Sequence, residues 1–147
     1  MTNPFYLLAE ATEIPAVLQR VVYDAGIAKT TLALAAMRAS QINGGAACLY
    51  AEVAMARTAG ASEDQIATVA TWRHSPFFDD AERAALALAD AATRPATDGG
   101  LSDEQWEDLA RHFNEKQCAA LVLWLGGSAM FNVVNRVIEE PAGTTWD

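Results

Sequence analysis

Four polar pairs, each three residues apart, punctuate this chain: Ser62 with Gln65, Asp79 with Glu82, Ser102 with Gln105, and Asn114 with Gln117. That spacing is the capping box. The first side chain accepts from a backbone N–H one turn into a helix, and the second reaches back to the N–H of the first. A helix-start signal repeated four times commits most of the second half to helix. The spacing predicts helices near 63–73, 80–93, 103–112 and 115–138. Gly126-Gly127, inside the last of these, marks either a kink or a close helix contact.

The first half reads the same way from its apolar period. Ile14, Val17, Leu18, Val21 and Val22 recur along one helical face. Thr12 is the expected N-cap there, Pro15 suits the first turn, and Gly26 is a C-terminal stop. A second helix is expected from about 31 to 41. Asn43-Gly44-Gly45 interrupts it, and a third runs from close to Gly45 to Gly60. The clearest loop is 94–100, with Pro95, Asp98, Gly99 and Gly100. Alanine is abundant and no period-two strand is evident, so the expectation is one all-α domain over residues 1–147, with six to seven helices.

Size and charge narrow the function classes. A chain of 147 residues can bury roughly 70% of its unfolded surface, enough to fold without a metal or disulfide. Ten basic against nineteen acidic residues leave a net charge of −9, which argues against nucleic acid or an anionic membrane as partner. Two cysteines seventy residues apart, Cys48 and Cys118, imply no disulfide framework. The longest apolar run, 119–125, is too short to span a bilayer, and no secretory signal precedes it. A soluble cytoplasmic protein is expected. Two isolated histidines, His74 and His112, make no metal site, and no glycine-rich phosphate loop is present, so no cofactor is expected.

The stretch Arg38-Ala39-Ser40-Gln41-Ile42-Asn43-Gly44-Gly45-Ala46-Ala47-Cys48 resembles the signature of the AhpD-like alkylhydroperoxidases, within the carboxymuconolactone decarboxylase family. In that signature, Arg-x-Ser-x-x-Asn-Gly runs into Cys-x-x-Cys. A His lies four residues after the second Cys and a Glu twelve before the first. Here the first Cys falls on Gly45, the second on Cys48, the His on Glu52 and the upstream Glu on Ala33. The resemblance continues through Trp72-Arg73-His74-Ser75-Pro76-Phe77-Phe78, Ala81-Glu82-Arg83-Ala84-Ala85-Leu86, Leu101-Ser102-Asp103-Glu104 and Asn132-Val133-Val134-Asn135-Arg136. It covers about residues 30–138. It implies an all-helical fold assembled as a homo-oligomer, a homotrimer or homohexamer.

Only Cys48 of the implied redox set is kept. In the family, a thiolate attacks peroxide and the second thiol resolves the sulfenic acid as a disulfide. Gly45 cannot resolve and Ala33 cannot relay a proton. Glu52, one turn from Cys48, should raise the thiol pKa, while the helix N-terminus opposes that shift. Cys48 is either a reactive thiol or a small buried hydrophobe, as most free cysteines are. Glu52 is either a solvated surface carboxylate or a carboxyl in an apolar pocket acting as general acid or base. Tyr50, two residues from each, points off their shared face. Cys118, in an apolar run, is expected in the core. Arg38 is expected to bind a carboxylate across a helix interface, and Glu82 and Arg83 to make charge pairs. His74, before Pro76, is a weak candidate for contacting substrate.

Three functions compete on this reading. One is cofactor-free non-redox chemistry, or binding of a small-molecule ligand, in the former active-site pocket near Glu52. Another is a one-cysteine alkylhydroperoxidase of peroxiredoxin type using Cys48. The third is a non-catalytic oligomeric scaffold.

Overall fold

The structure is a computed structural model describing residues 1–94 and 100–145. All regular structure among these residues is helical. The elements are α1 (Pro4–Leu7), α2 (Glu13–Tyr23), α3 (Lys29–Asn43), α4 (Ala46–Ala59), α5 (Glu63–Thr68), a 3-10 segment (Val69–His74), α6 (Asp80–Thr93), α7 (Asp103–His112) and α8 (Glu115–Val137). Most of the loop expected at 94–100 lies outside the described residues.

All four capping boxes form. The N3 backbone N–H donates to Ser62, Asp79, Ser102 and Asn114 at 3.1, 2.7, 3.2 and 3.0 Å, and each N3 side chain returns to the cap N–H. These starts are legible because a cap is completed within four residues.

Three local expectations are corrected. Among the described residues there are eight α-helices, against the expected six to seven. The addition is α1, a single turn capped by Asn3, whose side chain accepts from the Phe5 N–H at 3.1 Å. Thr12 does not cap α2. It is already in helical conformation with no side-chain cap bond, because the chain enters through a turn with Glu10 at φ 69°. The helix expected at 63–73 narrows after Thr68 into the 3-10 segment, where Thr71 leaves helical geometry (φ −117°, ψ 28°).

The centre of the fold is α3, buried along 31–40. A helix hidden on every side needs small residues so that its neighbours can approach, and Ala33, Ala35, Ala36 and Ala39 supply them. One flank (Leu32, Ala35, Ala39) packs into a cluster with Val22, Leu88 and Leu121. The other (Ala33, Leu34, Met37) joins Trp72, Phe78 and Leu86. Full burial of each leucine or phenylalanine stabilises by roughly 1.5–3 kcal/mol. Gly44, at φ 69°, ends α3 in the left-handed region, so that α4 begins two residues on.

The Gly126-Gly127 pair is a close contact rather than a kink, since α8 runs unbroken to Val137. A Cβ on Gly127 would come within 2.2 Å of Leu18 Cδ2, so this glycine sets how near α2 can lie. By length and composition α8 could cross a membrane, although its longest unbroken apolar run is short. Here it buries Leu121, Leu125, Ser128, Asn132 and Asn135, and Trp124 Nε1 donates to Leu32 O at 2.9 Å.

Candidate active site: a buried carboxyl in an apolar cavity

Because α4 starts immediately after Gly45, its first turns carry Cys48 and Glu52 four residues apart on one face. That face is turned inward, and both side chains line a cavity of about 660 Å³. Ala51 and Met55 extend the α4 wall, and Trp124, Ser128, Phe131 and Asn135 of α8 form the wall opposite. Leu18 and Gln19 of α2 close a third side. The N-terminal segment lines a further side with Asn3, Phe5 and Tyr6 and leaves the cavity partly open.

That segment is fastened across the cavity. Phe5 and Phe131 rings meet at 5.3 Å with a 59° tilt. Asn3 Nδ2 donates to Asn135 Oδ1 at 3.0 Å and to Glu140 Oε2 at 3.3 Å. Asn135 Nδ2 in turn donates to Cys48 Sγ at 3.1 Å, so a continuous polar chain joins the N-terminal turn to the thiol.

Glu52 is the electrostatic anomaly. It is 9% exposed, and burial pushes its carboxyl up to about 8, with the Ser40 and Ser128 hydroxyls offsetting part of the rise. Its Oε2 is buried without a hydrogen-bond partner among the described residues. No Lys, Arg or His is among the lining residues. A carboxyl so placed is largely protonated at neutral pH, and it exchanges its proton near the physiological range. Of the two sequence readings, the structure places Glu52 in the apolar pocket.

Cys48 is also buried, and burial pushes its thiol up. The Asn135 hydrogen bond opposes this, and Glu52 adds a smaller upward push. The expected direction holds, but desolvation rather than the Glu52 charge is the main cause. A carboxyl that keeps its own proton has little charge to project.

The position that the resemblance gives to the first family cysteine is filled. A Cβ on Gly45 would sit 1.6 Å from Asn132 Oδ1. The Asn132 side chain occupies that space, held by Nδ2 donations to Ser40 Oγ at 3.1 Å and Ser128 Oγ at 3.4 Å. Ala33 is fully buried in the second core cluster and is not a lining residue, whereas Ala36 of the same helix is.

The other sequence candidates lie elsewhere. His74 is exposed at the end of the 3-10 segment and does not line the cavity. Tyr50 points outward. Cys118 packs, half-buried, against the first core cluster. Arg38 does bind a carboxylate across a helix interface, donating to Asp90 Oδ1 of α6. Arg83 makes no charge pair among the described residues. It donates instead to the carbonyls of Trp72, Ser75 and Phe78 and so holds the turn before α6. Glu82 serves its capping box and accepts from Gln65 Nε2. No cluster of three metal-ligating side chains occurs among the described residues.

Sequence reasoning missed the polar half of the site. Asn135 and Asn132 were visible only as part of a recurring closing motif, with nothing local tying them to Cys48 or Gly45. Asn3, Phe5 and Tyr6 gave no signal, because their role depends on a contact across more than a hundred residues.

Comparison with known proteins identifies the family and the fold. The carboxymuconolactone decarboxylase family model matches residues 12–91, and the chain belongs to that family. It is 30% identical over 120 residues to the uncharacterised protein YdfG of Bacillus subtilis, covering 81% of each chain. It is 36% identical over 83 residues to the uncharacterised protein YnjA of Escherichia coli, covering 55% of this chain and 43% of that one. The crystal structure of ATU0492 from Agrobacterium tumefaciens superposes with a TM-score of 0.86 at 29% identity over 97% of each chain. That protein is described as of unknown function and a candidate AhpD antioxidant defence protein, and the chain shares its AhpD-like fold. The debrominase Bmp8 shares the fold at TM-score 0.70 and 22% identity, covering 80% of this chain and 62% of that one.

Proposed function

We propose that this protein has lost the two-cysteine peroxidase site of its family and uses the cavity for cofactor-free acid–base chemistry on a small molecule, with Glu52 as the proton-transfer group. The observation that carries the reading is a buried carboxyl, held near pKa 8, lining a partly open apolar cavity with no Lys, Arg or His among its described lining residues. In its protonated form Glu52 gives its proton to a heteroatom of the substrate. The carboxylate left behind takes one back from substrate carbon or from water. Asn132 in the space beside Gly45 supports the loss of the first thiol, since restoring a side chain there requires Asn132 to move.

A test that needs no natural substrate is deuterium uptake at the acidic carbon of 2-indanone in D₂O, followed by NMR. Wild type should exceed Glu52→Gln by about 10²-fold or more. Equal rates would end the catalytic reading.

The one-cysteine peroxidase remains the second reading because Asn135 donates to Cys48 Sγ, a bond that favours the thiolate. Burial acts against it. Peroxide consumption with excess dithiothreitol should be no faster for wild type than for Cys48→Ser. A rate lost in the variant would move this reading to first place.

Self-association into a homotrimer or homohexamer in the cytoplasm is part of the proposal. It is supported by an outward stripe on α8, where Val122, Met130, Val133 and Val137 are exposed and Gly126 faces open space. Light scattering should give a multiple of the 15.7 kDa chain.

A further inference from the structure

We propose that the cavity takes a neutral, mostly apolar small molecule presenting one hydrogen-bond acceptor to the Glu52 carboxyl, and that it rejects carboxylates. The inference rests on the reading of this cavity as the functional site, and it names the class of ligand that site admits.

The argument is by elimination of polar partners. The buried amides in the walls are already engaged, while Tyr6, Thr12 and Gln19 line the cavity at its exposed side. Asn3 donates to Asn135 and accepts from the Phe5 N–H, while Asn135 accepts from Asn3 and donates to Cys48. Gln19 donates to Tyr23 Oη. Glu52 is the buried polar side chain in the walls with an oxygen left unpartnered. Around it the walls are aromatic and aliphatic, with Phe5, Trp124 and Phe131 supplying flat apolar faces.

A ligand anion entering this space would meet no Lys, Arg or His, in a chain whose net charge is already −9. Burying an unpaired charge is among the costliest events in a protein interior. An ammonium would have to strip Glu52 of its proton to gain a partner, at the desolvation cost of a buried ion pair. A neutral carbonyl or ether meets neither obstacle. It accepts the Glu52 hydrogen bond and leaves its apolar body on the rings.

The test uses three probes on one scaffold: 2-indanone, indane-2-carboxylate and 2-aminoindane, titrated by calorimetry into the intact protein at pH 6 and pH 9. At pH 6 the ketone should bind saturably, and the carboxylate and the amine about tenfold more weakly or worse. At pH 9 wild type should lose ketone affinity as Glu52 loses its proton. Glu52→Gln, whose amide remains a donor, should bind the ketone equally at both values. Cys48 and Tyr6 are the other titratable side chains in the walls, and a pH effect persisting in Glu52→Gln would belong to them and overturn the assignment to Glu52. Carboxylate or amine binding as tight as the ketone, or no saturable binding of any probe, would also overturn the proposal. Failure of the deuterium-exchange test with this order of affinities intact would remove the catalysis and leave the ligand class standing.

Discussion

Asp90 and Glu52 are both buried carboxyl side chains, at 5% and 9% exposure, and their surroundings are opposite. Asp90 lies on α6 among three arginines: Arg38 from α3, Arg73 from the 3-10 segment at 2.9 Å, and Arg94 at 3.9 Å. Glu52 lies on α4 with two serines, a thiol and apolar walls. The first arrangement answers a buried charge with opposite charges and ties three elements together. The second gives the carboxyl two hydroxyls but no opposite charge among the described lining residues, so the cost of burial is met by keeping the proton. A carboxylate that is fully paired has little left to do chemically, whereas one that must hold or release a proton can move it onto something else.

The sharpest way to break the comparison is Asp90→Ala, which leaves Arg38 buried without its partner. It should cost about 3–5 kcal/mol in denaturant unfolding, because an uncompensated charge remains inside. The pair of changes Arg38→Met with Asp90→Leu should recover most of that loss. A loss below about 1 kcal/mol for Asp90→Ala would mean that solvent already screens the cluster.

Glu52 should show itself through pH. Its folded pKa, about 8, lies above the ordinary 4.5, so between those values the folded protein holds a proton that the unfolded chain has released. The stability this supplies is fully present below the unfolded value. It falls as pH rises, by up to roughly 1.4 kcal/mol per pH unit, and is gone above the folded value. Unfolding of Glu52→Gln measured from pH 5 to pH 9 should lack this slope and be the more stable at pH 9. Parallel profiles for variant and wild type would show that Glu52 is solvated.

The smallest effect sharpens the account of the missing thiol. Gly45→Ala should cost about 1–3 kcal/mol, the usual range for overpacking, because its Cβ meets Asn132. Combined with Asn132→Ala it should cost less than the two single changes together. Strict additivity would mean that Asn132 swings aside freely.

These sites differ in how much of them could be read along the chain. The i, i+4 relation of Cys48 and Glu52 follows from helical geometry once α4 is known to begin at Gly45, and the Asn43-Gly44-Gly45 break announces that start. The pairing of Arg38 with a carboxylate was expected, but the carboxylate was not identifiable. Asp90 is fifty-two residues away, and many acidic residues could have filled the role. Arg83 was expected to pair with charge and binds carbonyls instead, since the turn it closes exists only when the 3-10 segment packs on α6. The N-terminal turn was invisible because a four-residue helix has no period to detect.

Sequence alone determined the helical order, the four capped starts and the glycine stops, because each is decided within a few residues by backbone hydrogen bonds and allowed dihedrals. It also determined that a glycine and a glutamate stand where the family's signature has a cysteine and a histidine. Tertiary structure alone decided that Glu52 is buried and keeps its proton, that Asn132 fills the space beside Gly45, and that the chain's first residues line the cavity. Desolvation and excluded volume depend on what distant segments bring to a point in space, and no local pattern encodes that sum.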